Sequence, residues 1–369
     1  MMRIAFVHRQ LTGGGTEADL RRMAAGLAAR GHELHLFCAR ADAPVPGTKL
    51  HRVPIVRAGR VTRLLSFAWL APRAVAQVPC DVVVGFGRIA RQDVVRVGGG
   101  THASYLARME AAQLRGRRRG PYHRAILWLE RQMFAPSGHR RVFTVSRLVA
   151  DEVVRDYDVA RERTVLLYNG VDLQRFHPDR RSTDGVAVRA ELRIGDAPLC
   201  IAIGSGFARK GFDLLLQLWE ERAPLAHLAV VGDDERLGRY RAWAARLNGR
   251  VHVLGARPDV ERWLAAADVL LAPSRQEAFG NVGLEALAAG VPVVTSRRSG
   301  VAELIDGPLA ELLLDEPDDL DGLARAIAVA LQPGRDAWRE SARRIAERHP
   351  WDRHLDALEA ELSEVARGR

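Results

Sequence analysis

Two carboxylates, Glu277 and Glu285, stand eight residues apart in the run Glu277-Ala278-Phe279-Gly280-Asn281-Val282-Gly283-Leu284-Glu285-Ala286-Leu287. The first falls in a loop after the apolar run Val269–Ala272. The second lies one turn into a helix whose pattern starts near Asn281. The unsatisfied N–H groups of a helix start suit phosphate or sugar hydroxyls. A carboxylate accepts two hydroxyl protons at once, which fits a vicinal diol such as ribose. The same pair also reads as a solvated helix-start pair, because acidic residues favour first turns. A second cluster, Gly204-Ser205-Gly206-Phe207-Ala208-Arg209-Lys210-Gly211, sets adjacent cations among glycines after an apolar run. Arginine grips phosphate bidentately and lysine offers a point charge. The Gly-Lys-Ser/Thr ending of a P-loop is absent, which leaves a diphosphate site or a solvated basic loop. Lys49 and Lys210 are the only two lysines, against 53 arginines. A lysine kept where arginine is the default cation points to a need for lysine.

Three further segments could carry chemistry. Gly13-Gly14-Gly15 precedes a helical period over Thr16–Arg30, with Thr16 as the expected N-cap and Asp19 three residues on. Glycines there let backbone N–H groups approach a phosphate, or simply form a flexible turn. The fit of Gly13-x-Gly15-x-x-Ala18 to a dinucleotide fingerprint is discounted, because Arg9–Thr12 separate it from the strand. His102 follows Gly98-Gly99-Gly100-Thr101 and reads as a substrate hydrogen-bonding group or as a structural histidine. Leu114–Phe134 crowds Arg115, Arg117, Arg118, Arg119 and Arg124 beside a helical stripe of Tyr122, Ile126, Leu129 and Met133, with Trp128 alongside. That pattern fits an anionic bilayer surface, or a core-facing helix with a solvated basic flank.

The elements that must position these residues alternate strand and helix along the chain. Strand-like runs are Ile4–His8, Glu33–Cys38, Asp81–Gly85, Val142–Val145 and Thr164–Tyr168, then Leu199–Gly204, His227–Gly232, Val251–Leu254, Val269–Ala272 and Val291–Thr295. Such alternation predicts α/β architecture with parallel sheets covered on both faces. The polar stretch Pro178–Gly185 is the best linker. It predicts doubly wound domains over 1–180 and 181–350, with a final helix over 351–367. Ligands of such sheets bind beyond the carboxyl ends of the strands, where the motif-bearing loops fall, so the two halves are expected to face each other across a cleft.

Composition narrows the class further. The 369 residues are 47% hydrophobic and 27% charged, which excludes wholesale disorder and fibrous repeats. Cys38, Cys80 and Cys200 match no metal or disulfide-scaffold spacing. Met1-Met2-Arg3 runs directly into a strand-like segment, so a secretory leader is not expected. No apolar run approaches the ~18 residues of a membrane span. The net charge of +10 favours an anionic partner. Aromatic-interleaved basic patches at RNA-binding spacing are absent, which argues against nucleic acid.

Together these motifs resemble the retaining nucleotide-sugar glycosyltransferases of the GT-B fold, glycosyltransferase family four, and within it the lipopolysaccharide core glucosyltransferases. The resemblance covers nearly the whole chain. It rests on Gly13–Gly15, on Tyr168-Asn169-Gly170-Val171-Asp172, on Gly204–Gly211, and on Glu277-x7-Glu285 followed by Ala286-x-Ala288-x-Gly290-Val291-Pro292-Val293. Val83-Val84-Gly85-Phe86-Gly87 and the position of Asp19 are similar as well.

The resemblance implies two Rossmann-like domains, an acceptor-side one over 1–180 and a nucleotide-sugar-binding one over 181–350, with the final helix packing back on the first. Arg209 and Lys210 would hold the donor diphosphate, Glu285 the ribose hydroxyls, and Glu277 the donor sugar, helped by backbone N–H groups of Ala278, Phe279 and Gly280. Asn281 and Val282 would present the helix N-terminus to the phosphates. Gly14 and Gly15 would cover the phosphates from the other domain, Asp19 would face the donor–acceptor junction, and His102 the donor sugar. No metal and no cofactor beyond the nucleotide-sugar substrate is implied. The expected reaction moves a hexose, glucose foremost, from a UDP-sugar to a membrane-associated glycolipid such as lipopolysaccharide core, with retention. The expected protein is a monomer, peripheral on the cytoplasmic face of the inner membrane of a bacterium. The basic Arg57–Val61 loop and Arg117–Arg119 would favour a phosphorylated acceptor. A nucleotide-sugar epimerase of the same fold, or a transferase using GDP- or ADP-sugar, stays open.

Overall fold

Short, nearly continuous apolar runs form strands buried on both faces, as parallel sheets require. The computed structural model describes residues 1–112, 120–222, 224–334 and 336–368. Its packing divides the chain into two units, Met1–Asn169 with Asp352–Arg369, and Gly170–Trp351. The first unit contains β1 (Arg3–Val7), β2 (Gln10–Leu11), β3 (Glu33–Cys38), β4 (Arg40–Ala41), β5 (Thr48–Arg52), β6 (Val82–Gly85), β7 (Val94–Val97), β8 (Arg141–Thr144) and β9 (Thr164–Leu166). Seven of these make a parallel sheet in the order β5-β3-β1-β6-β7-β8-β9, while β2 and β4 pair separately. Helices α1 (Gly15–Ala29), α2 (Arg60–Val75), α3 (His102–Ala111), α4 (Pro121–Phe134) and α5 (Arg147–Tyr157) cover it. One face of its core joins Ala5, Val7, Phe37 and Val83 of the strands to Phe67 and Ala71 of α2.

The second unit repeats the design. Strands β10 (Leu199–Ile203), β11 (His227–Val231), β12 (Val251–Gly255), β13 (Val269–Ala272), β14 (Val293–Ser296) and β15 (Leu313–Leu314) lie in the parallel order β12-β11-β10-β13-β14-β15. Helices α6 (Asp184–Leu192), α7 (Phe212–Arg222), α8 (Leu237–Ala244), α9 (Val260–Ala266), α10 (Asn281–Ala288), α11 (Leu320–Ala330) and α12 (Asp336–Glu347) connect and flank them. In each unit the chain winds outward from one central strand and then returns to its other side. The switch falls between β1 and β6 in the first unit and between β10 and β13 in the second. Those crevices are where doubly wound sheets bind ligands.

The structure departs from the sequence expectation in places, for identifiable reasons. The boundary lies at Asn169/Gly170 rather than near 180. Residues Pro178–Ser182 form a 3₁₀ turn tied to the second unit, where Arg181 pairs with Asp268 at 2.7 Å and donates to Ala267 O at 2.9 Å. Thr16 is not the cap of α1. The helix starts at Gly15 behind Gly14 (φ 139°), and Glu17 accepts from the Thr12 and Gly13 amides instead. The residues separating β1 from the glycines build β2. β5, the half-polar edge strand Thr-Lys-Leu-His-Arg, shows no apolar alternation from which to read it.

Helix α13 (Trp351–Arg367) belongs to the first unit from Asp352 onward. Its Leu355, Leu358, Leu362 and Val365 are buried. Arg30 reaches Asp356 at 2.8 Å and Glu359 at 3.2 Å, and His32 meets Glu359 at 2.9 Å. Removing a buried leucine side chain costs about 2–5 kcal/mol. Leu362→Ala is therefore expected to lower the unfolding free energy of the first unit, measured by denaturant titration, by that amount. A loss below about 0.5 kcal/mol, the range of neutral surface changes, would contradict the packing of α13.

Candidate functional site

In the second unit the loops after β10 and β13 meet at the switch point. Lys210 Nζ lies 2.7 Å and Arg209 Nη1 3.1 Å from the same oxygen, Oε2, of Glu277. Arg209 also donates to Gln276 O at 2.8 Å. Lysine reaches across the loop because Gly204 (φ 149°) leaves it room. A Cβ there would sit 2.7 Å from Lys210 Cε. Glu277 is fixed from behind by backbone bonds, its N–H to Arg298 O at 3.1 Å and its carbonyl accepting from Gly300 N at 3.1 Å. Burial would raise the Glu277 carboxyl, but Lys210 and then Arg209 outweigh it and hold it down at about 2. The result is a half-buried anion with two cations at the mouth of a βα loop pair.

Arg275, which no sequence motif singles out, ties this arrangement together. Its side chain, 7% exposed, bonds Asp213 of α7 at 2.8 Å, Asp318 at 2.7 Å and the Ala208 carbonyl. Its N–H donates to Arg209 O at 3.0 Å. One buried guanidinium thus locks the Arg209–Lys210 loop to the Glu277 loop. Ala278 and Phe279 are buried, Gly280 (φ 94°) caps α10, and Asn281 and Val282 form its first turn. Glu285 sits in the second turn, half-buried. The structure brings Arg209, Lys210, Glu277 and the 278–285 segment into one neighbourhood.

The residues read from the first unit are more dispersed. A cavity of about 440 Å³ opens at the β1/β6 switch, lined by His8, Gly14, Gly15, Arg88, Arg96 and Glu130, with Gly98–Gly100 along one side. Asp19 and His102 do not line it. Asp19 is buried and accepts from Asn169 Nδ2 at 3.0 Å, while Asn169 Oδ1 accepts from Arg96 at 2.6 Å. Burial pulls the Arg96 guanidinium down to about 10, and Asp19 offsets part of that, so it stays charged at neutral pH. His102 opens α3 with its Nε2 2.9 Å from His123 Nδ1 and its N–H on the Glu130 carboxylate. Burial, then Arg88 and His123, push its imidazole down to about 4, so it is neutral at pH 7. Both residues therefore hold the cavity wall from behind.

The cavity's own polar side chains are His8, Thr16, Glu17, Arg88, Arg96 and Glu130. Glu130, 2% exposed, accepts from Arg88 at 2.7 Å and also from Tyr157. His8 Nδ1 and Arg96 Nη1 are buried with no hydrogen-bond partner among the described residues. His8 had one sequence signal, its place directly after β1. Arg88 and Glu130 are 42 residues apart and had none.

Arg115, Arg117, Arg118 and Arg119 lie outside the described residues. The rest of that segment is α4. Its Ile126 and Leu129 pack on Leu64 and Ala68 of α2, so its apolar stripe belongs to the core. Trp128, 41% exposed, and Arg124 remain on the outer surface. No helix among the described residues is long and apolar enough to cross a membrane.

Comparison with known proteins agrees with this geometry. The model described as Glycosyltransferase Family 4 matches residues 13–175, and that described as Glycosyl transferases group 1 matches residues 197–332. The chain is 30% identical over 365 residues to the lipopolysaccharide glucosyltransferase WaaG of Escherichia coli K12, covering 94% of each. A crystal structure of WaaG superposes with a TM-score of 0.82 at 27% identity, over 96% of this chain and 98% of that one. Anabaena HepE in complex with UDP-glucose shares the fold, with a TM-score of 0.77 at 18% identity over 99% and 100% of the two chains. The chain belongs to glycosyltransferase family 4 and has the GT-B fold.

The Glu277 cluster has a testable titration. Its folded value near 2 lies below the ordinary 4.5. The unfolded chain therefore binds more protons between these values. The stabilisation is complete above about pH 4.5 and is lost as pH falls toward 2. Carboxyl ¹³C NMR is expected to find Glu277 fully ionised between about pH 4 and 5, while Lys210→Met shifts its titration up into that range. An ordinary midpoint in the parent protein would contradict the ion-pair geometry.

Proposed function

We propose that this family 4 enzyme is a retaining hexosyltransferase that moves glucose from a UDP-sugar to a membrane-associated glycolipid of the lipopolysaccharide-core type. The observation that carries the reading is the convergence of Arg209 and Lys210 on Glu277 at the β10/β13 switch point. Departure of a nucleoside diphosphate develops negative charge, and fixed cations at that place stabilise it without reorganisation. The relationship to WaaG, a lipopolysaccharide glucosyltransferase, supports the acceptor class and the sugar.

In this reading Arg209 and Lys210 hold the diphosphate. Glu277 keeps the two cations in register through Oε2 and offers its other oxygen to the donor sugar hydroxyls. Glu285 takes the ribose diol, and the backbone of Ala278–Val282 lines the phosphates. The acceptor hydroxyl attacks the anomeric carbon on the face from which the phosphate leaves. The new C–O bond forms as the C–O bond to phosphate breaks, and the hydroxyl proton passes to the departing phosphate oxygen. No residue need become covalently attached, and no step runs through a metal. Asp19, through Asn169 and Arg96, and His102, through Glu130, are positioning residues of the first unit, which takes the acceptor. The protein works at the cytoplasmic face of the inner membrane, with Arg124 and Trp128 on the surface that meets lipid.

The test is transfer of labelled glucose from UDP-glucose into a lipid-extractable core acceptor. Lys210→Ala and Glu277→Ala are each expected to lower turnover about 10²–10³-fold, the usual cost of losing one transition-state electrostatic partner. Near-normal turnover in either would overturn the residue roles. Release of free epimerised sugar without acceptor would make the enzyme an epimerase.

A further inference from the structure

The first unit carries a second, larger cavity that the reading above does not use. It is a half-open groove of about 1180 Å³, lined by Arg9 and by the exposed Arg40, Arg52, Arg57, Arg60 and Arg63, with Tyr122 on one wall. Topology delivers these arginines to one place. Arg9 follows β1, Arg40 follows β3, and Arg52 ends β5, so three neighbouring parallel strands present a guanidinium at their carboxyl ends. Arg57 sits in the next loop, and Arg60 and Arg63 occupy the first turn of α2.

Little in the fold neutralises this cluster. Among the described residues, no aspartate or glutamate lines the cavity. Asp42 reaches Arg40 at 3.4 Å, both side chains being exposed. Among the described residues the other five arginines form no ion pair. Arg52 bonds the Ala41 carbonyl at 3.4 Å, Arg63 bonds the Gly59 carbonyl at 3.1 Å, and Arg60 lies 4.5 Å over the Tyr122 ring. Two unit charges about 8 Å apart repel by about 0.5 kcal/mol even in bulk water. A helix N-terminus favours acidic residues, yet the first turn of α2 has none and carries two arginines. Several arginines elsewhere do have an acidic partner, as Arg88 has Glu130, Arg181 and Arg189 have Asp268, and Arg275 has Asp213. The local arrangement is unfavourable alone and favourable around an anion.

We propose that this cavity binds a saccharide bearing two or more phosphate groups. Five uncompensated guanidinium charges match two to three phosphate monoesters at about −1.5 to −2 each. The donors are all arginine, the side chain suited to bidentate phosphate geometry. Tyr122 holds the Arg60 guanidinium over its ring and so fixes one of these donors at the cavity wall. The volume exceeds the ~300–1,000 Å³ of ordinary small-molecule pockets, which suits an oligosaccharide better than a lone ion. The inference rests on the acceptor reading for the class of ligand. It adds that the acceptor is recognised through its phosphates, at the carboxyl edge of β1, β3 and β5.

The experiment is calorimetric titration of the whole chain with myo-inositol hexakisphosphate, glucose 1,6-bisphosphate, glucose and inorganic phosphate at fixed ionic strength, with UDP titrated in parallel. The hexakisphosphate is expected to bind and the bisphosphate more weakly, with glucose and inorganic phosphate weaker by at least about 100-fold, since each phosphate site adds charge-assisted bonds. Arg57→Ser/Arg60→Ser/Arg63→Ser is expected to weaken the hexakisphosphate by at least about 30-fold and leave UDP unchanged. Arg57→Gln alone, on an exposed loop, is expected to weaken it several-fold, with Arg57→Lys recovering part of the loss. Unchanged affinity in the triple and single variants would overturn the proposal. So would unchanged hexakisphosphate binding with lost flotation on phosphatidylglycerol vesicles, which would make the cluster a membrane face. Failure of UDP to bind the parent protein would instead count against the transferase reading.

Discussion

The pairing of one carboxylate with two cations is the constraint on which the second unit turns. Glu277 is ionised because Lys210 and Arg209 share its Oε2, and the two cations are held at one point because Glu277 is ionised. Removing a single partner from such a partly buried cluster leaves an uncompensated charge. The surrounding structure reads as support for it. Gly204 leaves space for the lysine stem. Arg275 clamps the two loops, and the backbone bonds at Arg298 and Gly300 fix the carboxylate from behind. The same cations that neutralise Glu277 supply the positive field that a departing diphosphate needs.

The first unit solves the same problem with a different distribution of groups. Its switch-point cavity is walled by a buried network, Arg96–Asn169–Asp19 on one side and Arg88–Glu130–His102 on the other. Each polar group used structurally is matched, while His8 Nδ1 and Arg96 Nη1 are not matched among the described residues. The arginine-lined cavity beside β3 and β5 pushes this further, since among the described residues its six arginines have one acidic partner, Asp42. Fold and ligand chemistry share the same strand ends, because loops at the carboxyl edge of a parallel sheet are the places where backbone need not pack.

How much of this could be read beforehand depended on whether a feature is local in the chain. β3, β13, α13 and the start of α10 are readable to the residue, because apolar runs and the helical period are local signals. The Arg209–Lys210 and Glu277–Glu285 motifs are readable because each lies within one loop–helix segment. β5 is not, because an edge strand with polar residues on both faces has no alternation. β2 and β4, two residues each, are below any pattern. Asp19 and His102 had the right residue type beside the right loop, but their side chains turn inward to Asn169 and His123. The arginine cavity was legible only at the basic Arg57–Val61 loop. With 53 arginines in the chain, those at 9, 40, 52 and 63 do not stand out. Only the topology shows that those at 9, 40, 52, 57, 60 and 63 share one space.

The most direct measurement of the central claim is a side-by-side calorimetric titration of UDP, GDP, ADP and NAD into the parent protein and Glu285→Ala. UDP is expected to bind most tightly, and Glu285→Ala to weaken it by at least about tenfold, the loss of one charge-assisted hydrogen bond. Preferential binding of NAD, or no binding by any nucleoside diphosphate, would contradict that claim.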